Sequence, residues 1–150
     1  MKTSEVKELY DVLSGLKLTG MSTPAKMIVL ENIRAMKPIS NAYQADCDDA
    51  IRMLRPEGFD AIEEKANRHN EAVKARNDKE LLKPEELQEV NEIYAAYFKE
   101  VDERVKELGN PENEIILKKI AQSEFDKLMD VNDLPAGILL LMYDNLIIDA

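Results

Sequence analysis

The clearest helical stretch of the chain is residues 84–108, PEELQEVNEIYAAYFKEVDERVKEL. Its apolar side chains recur every three or four residues, which is the spacing of one face of an α-helix. These side chains are Leu87, Val90, Tyr94, Tyr97, Val101, Val105 and Leu108. Proline favours the first turn of a helix, and Gly109-Asn110-Pro111 stops one. The stretch therefore predicts a long amphipathic helix with an apolar stripe close to a heptad seam.

Apolar residues have helical spacing in most of the remaining chain as well. The first predicted helix is Thr3–Leu18, and the second opens at Ser22-Thr23-Pro24, has a kink or break at Pro38 and continues over 39–54. A polar helix is predicted from Phe59 to Arg76. Two more helices follow the 84–108 stretch, one starting at Ser123 and a last one after Pro135 with Asp133 as its cap. No internal repeat or linker interrupts the pattern. We predict one all-α domain over residues 1–150, with five or six helices in an antiparallel, bundle-like arrangement.

Residues 112–121 leave an alternative open. Ile115, Ile116, Leu117 and Ile120 suit a helix, but β-branched residues in a run also suit a short strand. The alternative fold class is therefore α+β, with a short strand element near residues 112–121.

The most apolar run of the chain is residues 138–143, followed by Asp144 and Asn145. A membrane-spanning helix needs about 20 apolar residues, so this run predicts no membrane segment. It is interpreted as a buried final helix, with a partner-binding end as the alternative.

The composition excludes several kinds of chemistry. The chain has 20 basic and 30 acidic side chains, a formal net charge of −10, which disfavours non-specific binding to phosphates. One histidine and one cysteine cannot form an internal disulfide or a zinc site built only from Cys and His. The lone cysteine fits a reducing compartment, and the N-terminus lacks the apolar stretch of a secretory signal. We therefore expect a cytoplasmic protein.

Acidic residues are concentrated between Glu85 and Glu114, where ten acids face three bases. Glu-x-x-Glu spacing occurs there, as in Glu86–Glu89 and Glu100–Glu103, but Ala66 occupies the position three before His69, so the helical di-iron motif is missing. A solvated helix face is the simpler interpretation. As an interaction surface, the predicted residues are Glu85, Glu86, Glu89, Glu92, Glu100, Glu103 and Glu107.

Three other groups contain side chains of the kinds used in catalysis or binding. His69 lies in a polar segment without a neighbouring nucleophile and is interpreted as a surface histidine. Cys47 lies on the apolar stripe of its helix and is predicted to be a small core residue. Tyr94, Tyr97 and Phe98 are interpreted as core, with an aromatic binding surface as the alternative.

Both ends of the chain resemble a family. The opening pattern from Leu9 to Leu18, with Gly20 and Ser22 before a long helix, is similar to small bacteriophage and prophage helical proteins of uncharacterised function. The closing pattern resembles the same group in Ser123–Leu128, in Asn132–Gly137 and in the apolar final helix. The resemblance covers about a third of the chain with motifs of low specificity. It implies a phage origin and transfers no catalytic residue.

The function expected from these observations is that of a non-enzymatic phage or prophage accessory protein. It would act through helical protein–protein contacts, for example in particle assembly, within the host bacterial cytoplasm. One alternative is an acidic inhibitor that imitates DNA and occupies a host nucleic-acid-binding protein, and another is a carboxylate-dependent metal hydrolase. We expect a protein partner or self-association, with no catalytic residue, cofactor, metal, small-molecule substrate, membrane or direct nucleic-acid contact.

Overall fold

The computed structural model describes residues Met1 to Ile148, and this part of the chain contains six α-helices and no β-strand. The helices are α1 (Thr3–Ser14), α2 (Thr23–Met53), α3 (Phe59–Ala75), α4 (Pro84–Gly109), α5 (Gln122–Val131) and α6 (Ala136–Leu146). The predicted all-α, bundle-like fold class is confirmed. The last two residues of the predicted domain, Asp149 and Ala150, lie outside the described residues.

The strand alternative for residues 112–121 is wrong. In the described chain, this segment forms only two isolated single-residue bridges, Lys2 with Glu112 and Ile120 with Ile147. The segment forms no continuous ladder of β-sheet hydrogen bonds, because the backbone of Lys118 bonds to the side chain of Asn32 and not to another strand. The hydrophobic residues Leu117 and Ile120 are buried from an irregular segment.

Three predicted helix features differ from the structure. The first helix ends at Ser14, because Gly15 weakens the helix and its N–H already bonds Val12 as a cap. The second passes Pro38 without a break; one proline removes a single helical hydrogen bond, and buried Met36 and Ser40 hold the helix on both sides of it. Asp133 does not cap α6, whose cap position is Pro135.

The chain divides into two compact units. Unit 1 comprises Met1–Asp46 and the chain from Lys106 onward, and unit 2 comprises Cys47–Val105. The single domain expected over residues 1–150 stays a prediction.

Unit 1 has one hydrophobic core made by α1, the first part of α2, α5, α6 and the segment before α5. Its fully buried side chains include Val6, Leu9, Met36, Leu128 and Met142. Two asparagine side chains form hydrogen bonds that hold loop backbone against this core. The Asn32 side chain both donates to and accepts from the Lys118 backbone, each at 2.8 Å, and Asn132 pairs in the same way with Lys17.

Unit 2 has a smaller core centred on aromatic rings. Phe59, at the start of α3, packs against Tyr94 and Tyr97 of α4 with ring centroids 5.0 Å apart. The Tyr97 hydroxyl donates to the Ile51 carbonyl oxygen of α2 at 2.6 Å, which ties the end of α2 to α4. Cys47 is buried, as predicted for a small core residue.

Candidate functional site

The structure places all seven predicted surface glutamates on α4. Six of them are exposed and one, Glu86, is half-buried. Five share one face of the helix in unit 2, because their spacings of four, three, eight and three residues each return to nearly the same angle at 100° per residue. We call this set the acidic stripe: Glu85, Glu89, Glu92, Glu100 and Glu103. Glu86 lies beside this stripe, and Glu107 belongs to the part of α4 in unit 1.

The acidic stripe points away from the core of unit 2. Val90 and Tyr97, which enter that core, lie about 125° and about 105° around the helix from the middle of the stripe. Glu92 accepts a hydrogen bond from the Gln88 side chain at 3.1 Å. The stripe extends about 27 Å along the helix, from the rise of about 1.5 Å per residue.

Two clefts lie on unit 2, and the second of them borders the acidic stripe at Glu92. The first, which we call the polar cleft, has a volume of about 260 Å³ and is lined by Ala66, Asn67, His69, Asn70, Leu87, Val90, Asn91 and Tyr94. The second, the apolar groove, has a volume of about 440 Å³ and is lined by Pro84, Leu87, Gln88, Asn91, Glu92 and Ala95. Leu87 and Asn91 line both, so the two clefts are neighbours along α4.

His69, interpreted from the sequence as a surface histidine, has a specific backbone partner. Its ring is half-buried, and Nδ1 accepts a hydrogen bond at 3.1 Å from the backbone N–H of Leu82. Because Nδ1 accepts, the neutral ring carries its proton on Nε2. The imidazole therefore anchors the connection before α4 and forms part of the polar cleft.

The aromatic residues of α4 divide between core and surface. Tyr97 is buried, Tyr94 is half-buried, and Phe98 is 58 % exposed while its ring packs on both tyrosines. The pKa of Tyr94 is raised, chiefly by burial and further by the negative charge of Glu63, against which Arg55 acts in the opposite direction. Arg55 also lies 4.8 Å above the Phe59 ring and pairs with Asp60 and Glu63. This arrangement supports packing rather than proton transfer.

The final helix of unit 1 is only partly buried. Met142 and Leu146 enter the core, whereas Leu140 is 63 % exposed and Tyr143 is 45 % exposed. These two side chains are three residues apart and share a face of α6. The Tyr143 ring is held edge-on against buried Phe125, with centroids 6.2 Å apart. Part of the predicted buried helix thus lies on the surface.

Metal-binding and membrane-spanning features were also searched for between Met1 and Ile148. No group of three or more His, Cys, Asp or Glu side chains lies close enough there to hold a metal ion. No helix among those residues is both long and apolar enough to cross a bilayer.

The asparagines of the polar cleft were not predicted from the sequence. Asn67 and Asn70 lie on α3 and Asn91 lies on α4. Asparagine is a poor residue for the middle of a helix, so three of them within two helices were a usable indication of a polar site.

Comparisons of the chain with protein-family models, with curated proteins and with solved structures gave no match.

Proposed function

We propose that this chain is a non-enzymatic accessory protein of a phage or prophage that acts in the bacterial cytoplasm through helical protein–protein contacts, with particle assembly as one such role. The observation that supports the proposal is the exposed apolar face of α6, formed by Leu140 and Tyr143. Ile148, just beyond the helix, is also 54 % exposed.

This face has the properties of a contact surface. Single exposed apolar residues are common on proteins, and Met27 with Leu30 on α2 forms a second exposed pair, each 50 % exposed. The α6 pair differs because it includes a tyrosine, a residue enriched at protein interfaces, and because exposed Ile148 follows it. Burying a leucine or aromatic side chain completely is worth about 1.5–3 kcal/mol, so half-burial of two such residues against a partner contributes about 2 kcal/mol. The Tyr143 ring, held by Phe125, is already positioned for such a contact.

A photo-crosslinking experiment tests the proposal. A benzophenone amino acid is placed at position 140, and at position 27 in a control, because Met27 is 50 % exposed on α2 of the same unit. In cells that make the chain, position 140 is expected to crosslink to one protein or to a second copy, and position 27 is not. Equal adducts at both positions, or none at position 140, would contradict the proposal.

A matched pair of variants completes the test in solution. Leu140→Gln with Tyr143→Gln is expected to abolish the association that crosslinking identifies, measured by sedimentation velocity. Met27→Gln with Leu30→Gln is the control, because these side chains are also three residues apart and each 50 % exposed. Retention of binding by the α6 variant would assign the contact elsewhere.

The DNA-mimic alternative has one supporting observation, the acidic stripe on α4. Duplex DNA carries one charge per about 1.7 Å, or about 16 over the 27 Å that the stripe covers, whereas the stripe has five carboxylates. Charge density thus favours the helical-contact proposal. Competition with DNA for a nucleic-acid-binding protein is the test of the alternative, and failure to compete would reject it.

A further inference from the structure

The polar cleft and the apolar groove of unit 2 share Leu87 and Asn91, so a ligand that lies along α4 can contact both. One cleft volume, about 440 Å³, lies within the usual range for binding sites, and the other, about 260 Å³, lies just below it. Together they offer an apolar recess at one end and amide groups at the other.

The amide groups of the polar cleft are available for a ligand. Within residues 1–148, the side chains of Asn67, Asn70 and Asn91 form no hydrogen bond, and the Tyr94 hydroxyl forms none either. An asparagine amide can donate one hydrogen bond and accept another, which matches the N–H and C=O of a peptide unit. The chain already uses this pairing twice, where Asn32 holds the Lys118 backbone and Asn132 holds the Lys17 backbone.

The charges beside the groove indicate the side chains of the ligand. Glu92 lines the groove, and Glu85 and Glu89 follow on the same face of α4. No lysine or arginine from the described residues lines either cleft. The site therefore disfavours phosphates and carboxylates and favours a cation next to the groove.

We propose that the two clefts bind an extended peptide segment of a partner protein, in which an apolar side chain enters the groove beside Pro84 and Ala95, a lysine or arginine faces the acidic stripe, and Asn91 pairs with the peptide backbone. This site lies in unit 2 and is independent of the α6 face in unit 1.

The experiment is a selection from a random peptide library on the full chain, followed by fluorescence anisotropy with the enriched peptides. Enriched sequences are expected to combine apolar with basic residues. Their affinity is expected to fall about tenfold in Asn91→Ala, since two hydrogen bonds are lost, and several-fold in Glu92→Gln. Added NaCl is expected to weaken binding, because the attraction to the stripe is screened.

Controls separate this site from folding and from the α6 face. Asn91 is exposed and alanine is a better helix former, so Asn91→Ala keeps the fold. Asn41→Ala, an exposed asparagine on α2 of unit 1, is expected to leave peptide affinity unchanged. Leu140→Gln with Tyr143→Gln is also expected to leave it unchanged, so failure of this proposal and failure of the α6 proposal are distinguishable.

Four results would overturn the inference: no enrichment of peptides, enrichment of acidic peptides, enriched peptides that bind Asn91→Ala as tightly as the unsubstituted chain, or no chemical-shift change for the Asn67, Asn70 and Asn91 amides in NMR spectra with bound peptide. Neutral sugars also match amides and an aromatic ring. Maltose that shifts these amide resonances when no peptide does would assign the clefts to carbohydrate instead.

Discussion

In unit 1, two asparagine side chains form hydrogen bonds with the backbone N–H and C=O of loop residues, as a neighbouring strand would in a β-sheet. Asn32 is 3 % exposed and satisfies both backbone groups of Lys118, in a segment that has no helix or strand of its own. Asn132 does the same for Lys17 after α1. Because a backbone group that is buried without a partner costs about 1–3 kcal/mol, the part-buried Asn32 pairing determines the path of its loop, whereas the Asn132 pairing is exposed to solvent.

Substitution of Asn32 tests this role. Asn32→Leu leaves the N–H and C=O of Lys118 without their partner, so we expect the free energy of unfolding to fall by about 2–4 kcal/mol in urea denaturation. Asn41→Leu, an exposed position on the same helix, is expected to change it by less than about 0.5 kcal/mol. A small effect at both positions would show that the loop does not depend on Asn32.

Glu124 is expected to make stability depend on pH. Its Oε2 accepts a hydrogen bond from the Ser22 backbone N–H at 2.9 Å, and this bond lowers the carboxyl pKa, helped by the Ser22 hydroxyl and by Lys127 and opposed by desolvation. A lowered pKa in the folded state means that the carboxylate stabilises the fold above the ordinary glutamate pKa of about 4.3. That stabilisation is lost as pH falls through the lower, folded-state pKa.

The measurement compares Glu124→Gln with the unsubstituted chain over pH. Glu124→Gln is expected to unfold more easily at neutral pH, and the difference is expected to disappear in acid well below pH 4.3. Glu114→Gln, an exposed carboxyl in the same unit, is the control. A difference that persists unchanged in acid would show that packing, rather than charge, makes Glu124 important.

The end of α4 is fitted closely against α1 in unit 1. A Cβ at Gly109 would lie 2.9 Å from Ser4 Cβ and 3.1 Å from the Tyr43 hydroxyl oxygen. Ser4 Cβ is attached to the backbone of α1 and cannot turn away. We expect Gly109→Ala to lower the free energy of unfolding by about 1–3 kcal/mol, because this overlap exceeds the gain in helix propensity.

Gly137 provides the matched comparison. It lies in the first turn of α6, and a Cβ there would meet nothing within 4 Å. Gly137→Ala is therefore expected to raise the free energy of unfolding by about 0.5–1 kcal/mol, from helix propensity alone. Thermal unfolding of the two variants measures both changes, and equal signs would refute the close contact at Gly109.

Helices were predictable from the sequence because apolar spacing is a local property. The C-terminal end of α1 and the continuity of α2 were not predictable, since they depend on whether packing outweighs the cost of one glycine or one proline. The surface at α6 follows from geometry: six consecutive apolar residues, 138–143, turn 100° at each step and cannot all face one core. A partner-binding end was the alternative interpretation of this run.

The clefts of unit 2 could not be predicted in the same way. The acidic residues of α4 were identified because they are close in sequence. Asn70 and Asn91 are far apart along the chain and share a cleft only because α3 and α4 pack together. His69 was interpreted as a surface residue from its polar segment, and its hydrogen bond to Leu82 was not predictable, because Leu82 lies in a connection whose path is not encoded in any local pattern.

At the scale of the whole molecule, negative charge is spread over both units. Unit 2 has 10 bases and 16 acids, a sum of −6, and the other residues have 10 bases and 14 acids, a sum of −4. Such an excess opposes compaction through self-repulsion, which salt screens. Whether local pairs or the total charge dominate is decided by two variants that change the net charge equally.

Glu89→Lys and Glu64→Lys each change the net charge from −10 to −8. Glu89 has acidic neighbours three or four residues away, at Glu85, Glu86 and Glu92, so lysine there turns three repulsions into attractions. Glu64 instead pairs with Arg68 at 3.0 Å, and lysine there creates a repulsion. We expect Glu89→Lys to raise the free energy of unfolding by about 0.5–1 kcal/mol at low salt, and Glu64→Lys to leave it unchanged. In thermal unfolding, the difference in stability between the two variants is expected to shrink as NaCl is added, because exposed charges are screened. Equal stabilisation by both variants would mean that total charge, and not its arrangement on the helix faces, sets the electrostatic contribution to stability.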